Sequence, residues 1–168
     1  NGYSVLEHAI VRYWNPGALD RLAQYATVRQ PALWISAGLG DVAGRIDQQQ
    51  LINQIKTHPE FTFVIQYTEA DQALLPLLAD IPNHALLFDG SAGTGVLPAQ
   101  WPAPISGHQC GYAGGLNPVN LEDNIERIAA VAGDYKSWID MESGVRTDDR
   151  FDLAKVEQVL SIAAPWVI

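Results

Sequence analysis

Six apolar runs of strand length recur along the sequence, and each is followed by a segment with helical spacing. The runs are LEHAIVRY (6–13), PALWISAG (31–38), FTFVIQYT (61–68), HALLFDG (84–90), QCGYAG (109–114) and SWIDMES (137–143). They are too apolar for a half-exposed antiparallel sheet, where alternate residues face water. Strands covered on both faces and separated by helices give an α/β fold with a parallel sheet. The helical segments carry their own signals. Ala18, Leu19, Leu22, Ala23 and Ala26 share one stripe behind Asn15-Pro16, a cap followed by proline at the first helical position. Leu51, Ile52 and Ile55 form a narrow stripe that Asp47 can cap, and Ala70, Leu74, Leu75 and Leu78 predict a helix over 70–80. Leu121, Ile125 and Ile128, with Val131 or Ala132, predict a helix that stops at Gly133. Leu153, Val156, Val159 and Leu160 predict the last one, ended by Pro165. The glycine-rich segment 39–46 takes no assignment. Residues 96–107 carry three prolines and read as a loop, and Trp101 and Trp138 are expected in the core.

The last two units are the most informative. Each strand there runs into a turn that opens a helix, through Gly114-Gly115 and then through Ser143-Gly144. Such a turn leaves backbone N–H groups free to face an anion, and the helix dipole adds to the attraction. Two of them on consecutive strands predict a phosphate cradle built from Gly114, Gly115, Ser143 and Gly144, with Arg146 beside it. The plainer reading is that glycines only permit tight turns. The pairing of two turns favours the cradle. A doubly wound open sheet would place its glycine turn after the first strand, and this sequence has none there. A (β/α)8 TIM barrel places its phosphate site on the loops after strands seven and eight. The barrel is therefore favoured, as one domain over 1–168. Six strands against eight predict one strand ahead of Asn1, where the chain starts without Met, and one near 39–50.

Composition narrows the partners. The net charge of −9 argues against nucleic acid and anionic membrane, which need basic patches. A small phosphorylated metabolite stays open, because backbone amides bind an anion locally. No apolar run reaches the roughly 18–20 residues that span a bilayer, and no signal-peptide pattern opens the chain. Cys110 is the single cysteine, so no internal disulfide forms and a reducing, cytoplasmic setting is expected. His8, His58, His84 and His108 show no ligand spacing, so no metal site is read from them.

The stretches LLFDGSAGTG, YAGGLNPVNLEDNI and IDMESGVRTDDRFDLAKV resemble the last three strand–loop units of phosphoribosylanthranilate isomerase, across roughly residues 84–160. GGLNPxN is the most specific part, and IDMESGVRTDDRFDL is most similar to an uncharacterised branch of that family. The resemblance implies a (β/α)8 barrel of tryptophan biosynthesis that needs no cofactor. It also implies an Amadori rearrangement of an aminoaldose to an aminoketose. By position, Asp89 matches the general acid at the end of strand six. Gly114 and Gly115 match the phosphate turn after strand seven, and Ser143 and Gly144 the turn after strand eight. Other positions depart from the pattern. The family's general base is a cysteine ending the first strand, and no such strand and cysteine exist here; Cys110 lies on the strand-seven equivalent. The family's arginine for the anthranilate carboxylate has no clear match, with Arg12 or Arg45 as proposals. Glu142 stands where the family has a small polar residue, and Arg146 where it has an acidic one.

Each candidate has a competing reading. An Asp before Gly-Ser can simply close a turn by local hydrogen bonds; inside the resemblance, the acid role leads for Asp89. Glu142 would repel a phosphate unless Arg146 neutralises it or it turns away. Asp140 and Glu142 share a strand face. With Asp89 they could converge as oxygen ligands for Mg²⁺, although pairing of acids with Arg146 or Arg150 is the commoner arrangement. Gln66, Tyr67 and Glu69 end the third strand at the expected barrel mouth, where substrate contact and loop solvation are equally good readings. TDDRFD (147–152) reads as the cap of the last helix. Three functions follow as expectations: an isomerase-like barrel acting on a small phosphorylated sugar derivative, a non-catalytic metabolite-binding barrel of the same lineage, and a Mg²⁺-dependent lyase or hydrolase. No oligomeric state follows.

Overall fold

The computed structural model describes residues 9–11, 32–35, 48–89, 91 and 94–167. The expected helix at 18–26, the Asp47 cap, Arg12 and Arg45 lie outside the described residues. The chain divides into two compact units, Asn1–Leu87 and Phe88–Ile168.

The first unit holds strands β1 (Ala9–Val11), β2 (Ala32–Ile35), β3 (Thr62–Tyr67) and β4 (His84–Phe88), the last residue of which opens the second unit. Their order is β1-β2-β3-β4, without reversal. β1 and β2 pair in parallel with Ala9 opposite Leu33, and β2 and β3 pair in parallel with Ile35 opposite Ile65. A doubly wound sheet reverses its order at a switch point; these four strands do not. Phe63, Val64 and Ile65 are all buried, so β3 is covered on both faces, as its uninterrupted apolar run requires.

Helix α1 (Gln48–Thr57) buries the expected stripe of Leu51, Ile52 and Ile55 and exposes Gln48, Gln49 and Lys56. Residues 48–50 thus open a helix, not the strand expected near 39–50; 39–47 lie outside the described residues. Asn83 ties the helix end to the sheet. Its Nδ2 donates to the carbonyls of Ile55, His58 and Phe61 at 3.0–3.1 Å, and its own carbonyl accepts from Phe63 N–H at 2.9 Å.

The single helix expected over 70–80 is instead a 3-10 helix, Glu69–Leu74, followed by a one-turn α2, Leu75–Leu78. Pro76 is the reason. It lacks an N–H, and its ring would clash with the carbonyl four residues earlier if one α-helix ran through. At the start of a fresh turn it is tolerated. The carboxylate of Asp71 closes the entry by accepting from Thr68 N–H at 2.9 Å and Thr68 Oγ1 at 2.8 Å. Leu74 and Leu78 are buried as expected, whereas Ala70 is exposed.

In the second unit, β5 (Cys110–Tyr112) pairs in parallel with β6 (Ser137–Ile139). Helix α3 (Leu121–Ala132) lies between them in sequence and buries Leu121, Ile125, Ile128 and Ala132; Val131 is exposed. It ends at Gly133, whose φ of +56° suits glycine. The proline-bearing segment is a loop, as expected, and it contributes to the core. Trp101 packs edge-on against Tyr112, with ring centroids 5.8 Å apart, and Phe88 packs on the same Tyr112 at 5.4 Å. The polar ends of both rings are satisfied: Trp101 Nε1 donates to Asn124 Oδ1 at 3.0 Å and Tyr112 OH to the Pro102 carbonyl at 3.0 Å. Burial pushes the Tyr112 phenol up to about 12. Trp138, expected in the core, is only half-buried. Its indole covers Gly111, where any Cβ would collide with it.

After β6 the chain makes a 3-10 turn (Ser143–Val145) and a small antiparallel hairpin of β7 (Arg146–Thr147) and β8 (Arg150–Phe151). It then enters α4 (Leu153–Ala163). The hairpin was not expected from TDDRFD. Its two-residue turn places Asp148 at φ +50° and Asp149 at φ +62°, the left-handed pair that a twisted hairpin needs and that Asp tolerates. The expected cap is present: Asp152 Oδ1 accepts from the N–H of Ala154 and Lys155, and Oδ2 from Thr147 Oγ1 at 2.6 Å. Of the predicted apolar stripe on α4 only Val159 is buried, while Leu153 and Leu160 are exposed.

Candidate functional site

The candidate site lies within the second unit, where the turns after β4, β5 and β6 knit together. Asp89 follows β4 and is buried. Its Oδ1 accepts from Ser91 N–H at 3.0 Å and from Ser91 Oγ at 2.6 Å, so the local turn-closing role is present in the structure. The same oxygen lies 3.2 Å from where a Cβ on Gly114 would sit. The carboxylate therefore abuts the backbone of the turn after β5, close enough that a Cβ on Gly114 would press on it.

Gly114 and Gly115 have φ of +110° and +67°, a pair of conformations that side chains resist. Gly115 is also closely packed. A Cβ there would sit 2.6 Å from Leu97 N and 2.7 Å from the Gly95 carbonyl oxygen. The turn is braced from below by the two asparagines of GGLNPVN. Asn120 Nδ2 donates to the Gly115 carbonyl at 2.9 Å and Asn117 Nδ2 to the same oxygen at 3.3 Å. Asn120 Oδ1 accepts from Asn117 N–H at 3.0 Å, and Asn117 Oδ1 accepts from the N–H groups of Val119 and Asn120. This network fixes the backbone that leads into α3.

The turn after β6 docks on the same segment. A Cβ on Gly144 would collide with the Leu116 carbonyl oxygen, and Ser143 Oγ comes within 3.4 Å of the Cβ position of Gly95. Ser143, Gly144, Asn117, Pro118, Val119 and Asn120, with Lys155 and Gln158 of α4, line a cavity of about 470 Å³. Gly114 and Gly115 do not line it. The structure thus brings all four turn residues into one cluster and opens a cavity on the Ser143–Gly144 side.

Charge is arranged as one of the sequence alternatives required. Arg146 Nη2 donates to Glu142 Oε1 at 2.9 Å, and Nη1 lies 3.7 Å from Asp149 Oδ1. Glu142 is therefore neutralised by Arg146, on the exposed side of the turn. Asp140 is half-buried and continues the ladder, its N–H donating to the Tyr112 carbonyl at 2.9 Å. Among the described residues no three His, Cys, Asp or Glu side chains come close enough to hold a metal ion, so Asp89, Asp140 and Glu142 do not form the Mg²⁺ group considered from sequence. Gln66 belongs to the first unit, where it is buried near the end of β3 beside the largely buried Tyr67. Cys110 is buried within β5. Its Sγ accepts from Ile105 N–H and faces the His108 carbonyl, and burial pushes the thiol up from its ordinary value.

The sequence marked Asn117 and Asn120 only as part of GGLNPxN, with no role of their own, and did not single out Lys155 or Gln158. The asparagines carried a signal, since Asn-Pro-x-Asn before a helix is a turn and cap pattern. A lysine in the first turn of a helix carries none, because the dipole disfavours a cation there.

No family model matches this sequence, and no curated protein matches it. A solved structure of TrpF from Jonesia denitrificans, a phosphoribosylanthranilate isomerase, is similar over 91% of this chain and 80% of that one, with 15% identity and a TM-score of 0.48. Among the described residues no helix is long and apolar enough to cross a membrane.

Proposed function

We propose that the chain is a phosphoribosylanthranilate isomerase-like (β/α)8 barrel that binds a small phosphorylated sugar derivative, with the phosphate held by the turns after β5 and β6. The observation that carries this reading is the docking of Ser143–Gly144 against Leu116–Asn117. It seats the turn after β6 on the segment that follows Gly114–Gly115, beside a cavity lined by Ser143, Gly144 and Asn117–Asn120. Strand order without reversal in the first unit supports barrel winding over a doubly wound sheet. On this reading Asp89 is the acid that protonates the ring oxygen as the sugar opens in an Amadori rearrangement. Its burial at a strand end, against the phosphate turn, supports that role.

A second reading is favoured by Cys110. The reaction also needs a base for the C2 proton, and this thiol is buried with its thiolate form disfavoured. A barrel that keeps the anion site and binds a metabolite without turning it over accounts for that. Two measurements separate the readings. Expression in a tryptophan auxotroph lacking the isomerase restores growth on the first reading and does not on the second. Titration with inorganic phosphate perturbs the Ser143 and Gly144 amide resonances on both. If growth is not restored and those amides do not move, neither reading stands.

A further inference from the structure

We propose that Lys155 supplies the positive charge of the anion cavity, and that Arg146, the cation nearest the turn in sequence, does not. The proposal rests on the phosphate reading above and assigns its electrostatics. Three observations carry it. First, Arg146 is engaged elsewhere, by Glu142 Oε1 at 2.9 Å and Asp149 Oδ1 at 3.7 Å. Arg146 is absent from the cavity lining, whereas Lys155 is part of it, with Ser143, Gly144 and Gln158. Second, Lys155 is half-buried and, among the described residues, has no carboxylate within ion-pair distance. Asp152, three residues away, attracts Lys155 without forming an ion pair, and its two oxygens accept from Ala154 N–H, Lys155 N–H and Thr147 Oγ1. Third, Lys155 Nζ is anchored by donating to the Arg146 carbonyl. That bond uses one of the three ammonium protons and fixes the head group at the cavity wall.

A half-buried ammonium whose nearby carboxylate, Asp152, is not in direct contact still favours an anion at its free protons. A phosphate or other oxyanion in the cavity supplies one, and Ser143 Oγ and Gln158 offer further donors. The asparagines contribute shape more than hydrogen bonds, because their side chains already brace the Gly115 turn. In a protein whose net charge of −9 repels anions at longer range, such a local cation adds to what backbone amides supply.

Phosphate titration followed by amide resonances tests the assignment in the intact chain. Lys155→Gln keeps a donor for the Arg146 carbonyl and removes the charge. It is expected to weaken phosphate binding by about tenfold or more, the scale of one charge-assisted hydrogen bond. Lys155→Arg is expected to recover most of that loss, which a purely structural role for the lysine would not predict. Lys136→Gln removes an exposed charge remote from the cavity and serves as the control for net charge, with little change expected. If the unaltered chain binds phosphate and Lys155→Gln binds it equally well, with its fold intact by circular dichroism, the assignment of Lys155 is overturned and the phosphate site stands. If the unaltered chain shows no shift at Ser143 or Gly144 at tens of millimolar phosphate, the phosphate reading itself fails and this assignment with it.

Discussion

Gly115 combines two constraints that are separable by experiment. Its φ of +67° costs a residue with a Cβ about 1–2 kcal/mol. The Cβ would in addition press on the backbone at Gly95 and Leu97, which cannot rotate away as a side chain can. Gly107 has a similar φ of +85° and nothing within 4 Å of its Cβ position. Gly107→Ala is therefore expected to cost about 1 kcal/mol from strain alone and Gly115→Ala clearly more, about 2–4 kcal/mol. Urea unfolding measures both, and equal losses would mean that the turn has room to shift. Asp89 poses a comparable choice between two roles. Asp89→Asn keeps an oxygen for Ser91 and removes the acid. If Asp89 serves as a general acid, this variant folds normally and loses the auxotroph rescue. If it only closes the turn, rescue survives.

At the level of elements, the boundaries that sequence missed trace to single residues whose effect is non-periodic. The stripe of Leu51, Ile52 and Ile55 was legible because a helix repeats every 3.6 residues and burial follows. The break at residue 75 was not read, because Leu74 and Leu78 keep helical spacing on either side of Pro76 and the spacing hides the change of helix type. Asp148-Asp149 resembled a capping segment, and capping is indeed what Asp152 does. The hairpin before it depends on left-handed backbone that composition does not advertise. The turns at 114–115 and 143–144 were legible as turns; their docking partners at 95–97 and 116–117 were not, being contacts between loops. Two consequences can be measured. Asp149→Gly relieves the strain at φ +62° and gives up only the distant contact with Arg146, so the melting temperature should rise, by the equivalent of about 0.5 kcal/mol. Asn83→Ala leaves three carbonyls without their shared donor and should cost about 1–3 kcal/mol, whereas a surface asparagine would cost almost nothing.

Across the whole molecule, charge sets the pH range over which the fold persists. The composition gives an isoelectric point near 4.7 and a net charge of −9 at neutral pH, so self-repulsion keeps molecules apart at pH 7 and vanishes as acid is added. The same acid removes specific stabilisation. The hydrogen bond from His58 Nδ1 holds Glu60 below its ordinary 4.5, and the bond from Thr147 Oγ1, with the N–H groups of Lys155 and Ala154, holds Asp152 below 3.8. In both cases the unfolded chain takes up its proton first, at the higher pKa. Stability from these groups is therefore complete above about pH 5 and is lost as pH falls through 4.5 and 3.8 toward their lowered native values. Tyr112 sets the opposite edge. Its phenol ionises near 10.0 in the unfolded chain and near 12 in the fold, so its contribution is complete below pH 10 and is lost as pH rises toward 12. Urea midpoints measured from pH 3 to 11 should form a plateau with a fall at each end. Asp152→Asn should flatten part of the acid fall, and Tyr112→Phe part of the alkaline one, beside a constant loss of its hydrogen bond to Pro102. An acid edge unchanged in both Asp152→Asn and Glu60→Gln would assign it to other carboxylates. Turbidity should peak near pH 4.7, above the pH at which the Asp152 cap fails, so that solubility is lost before that part of the fold.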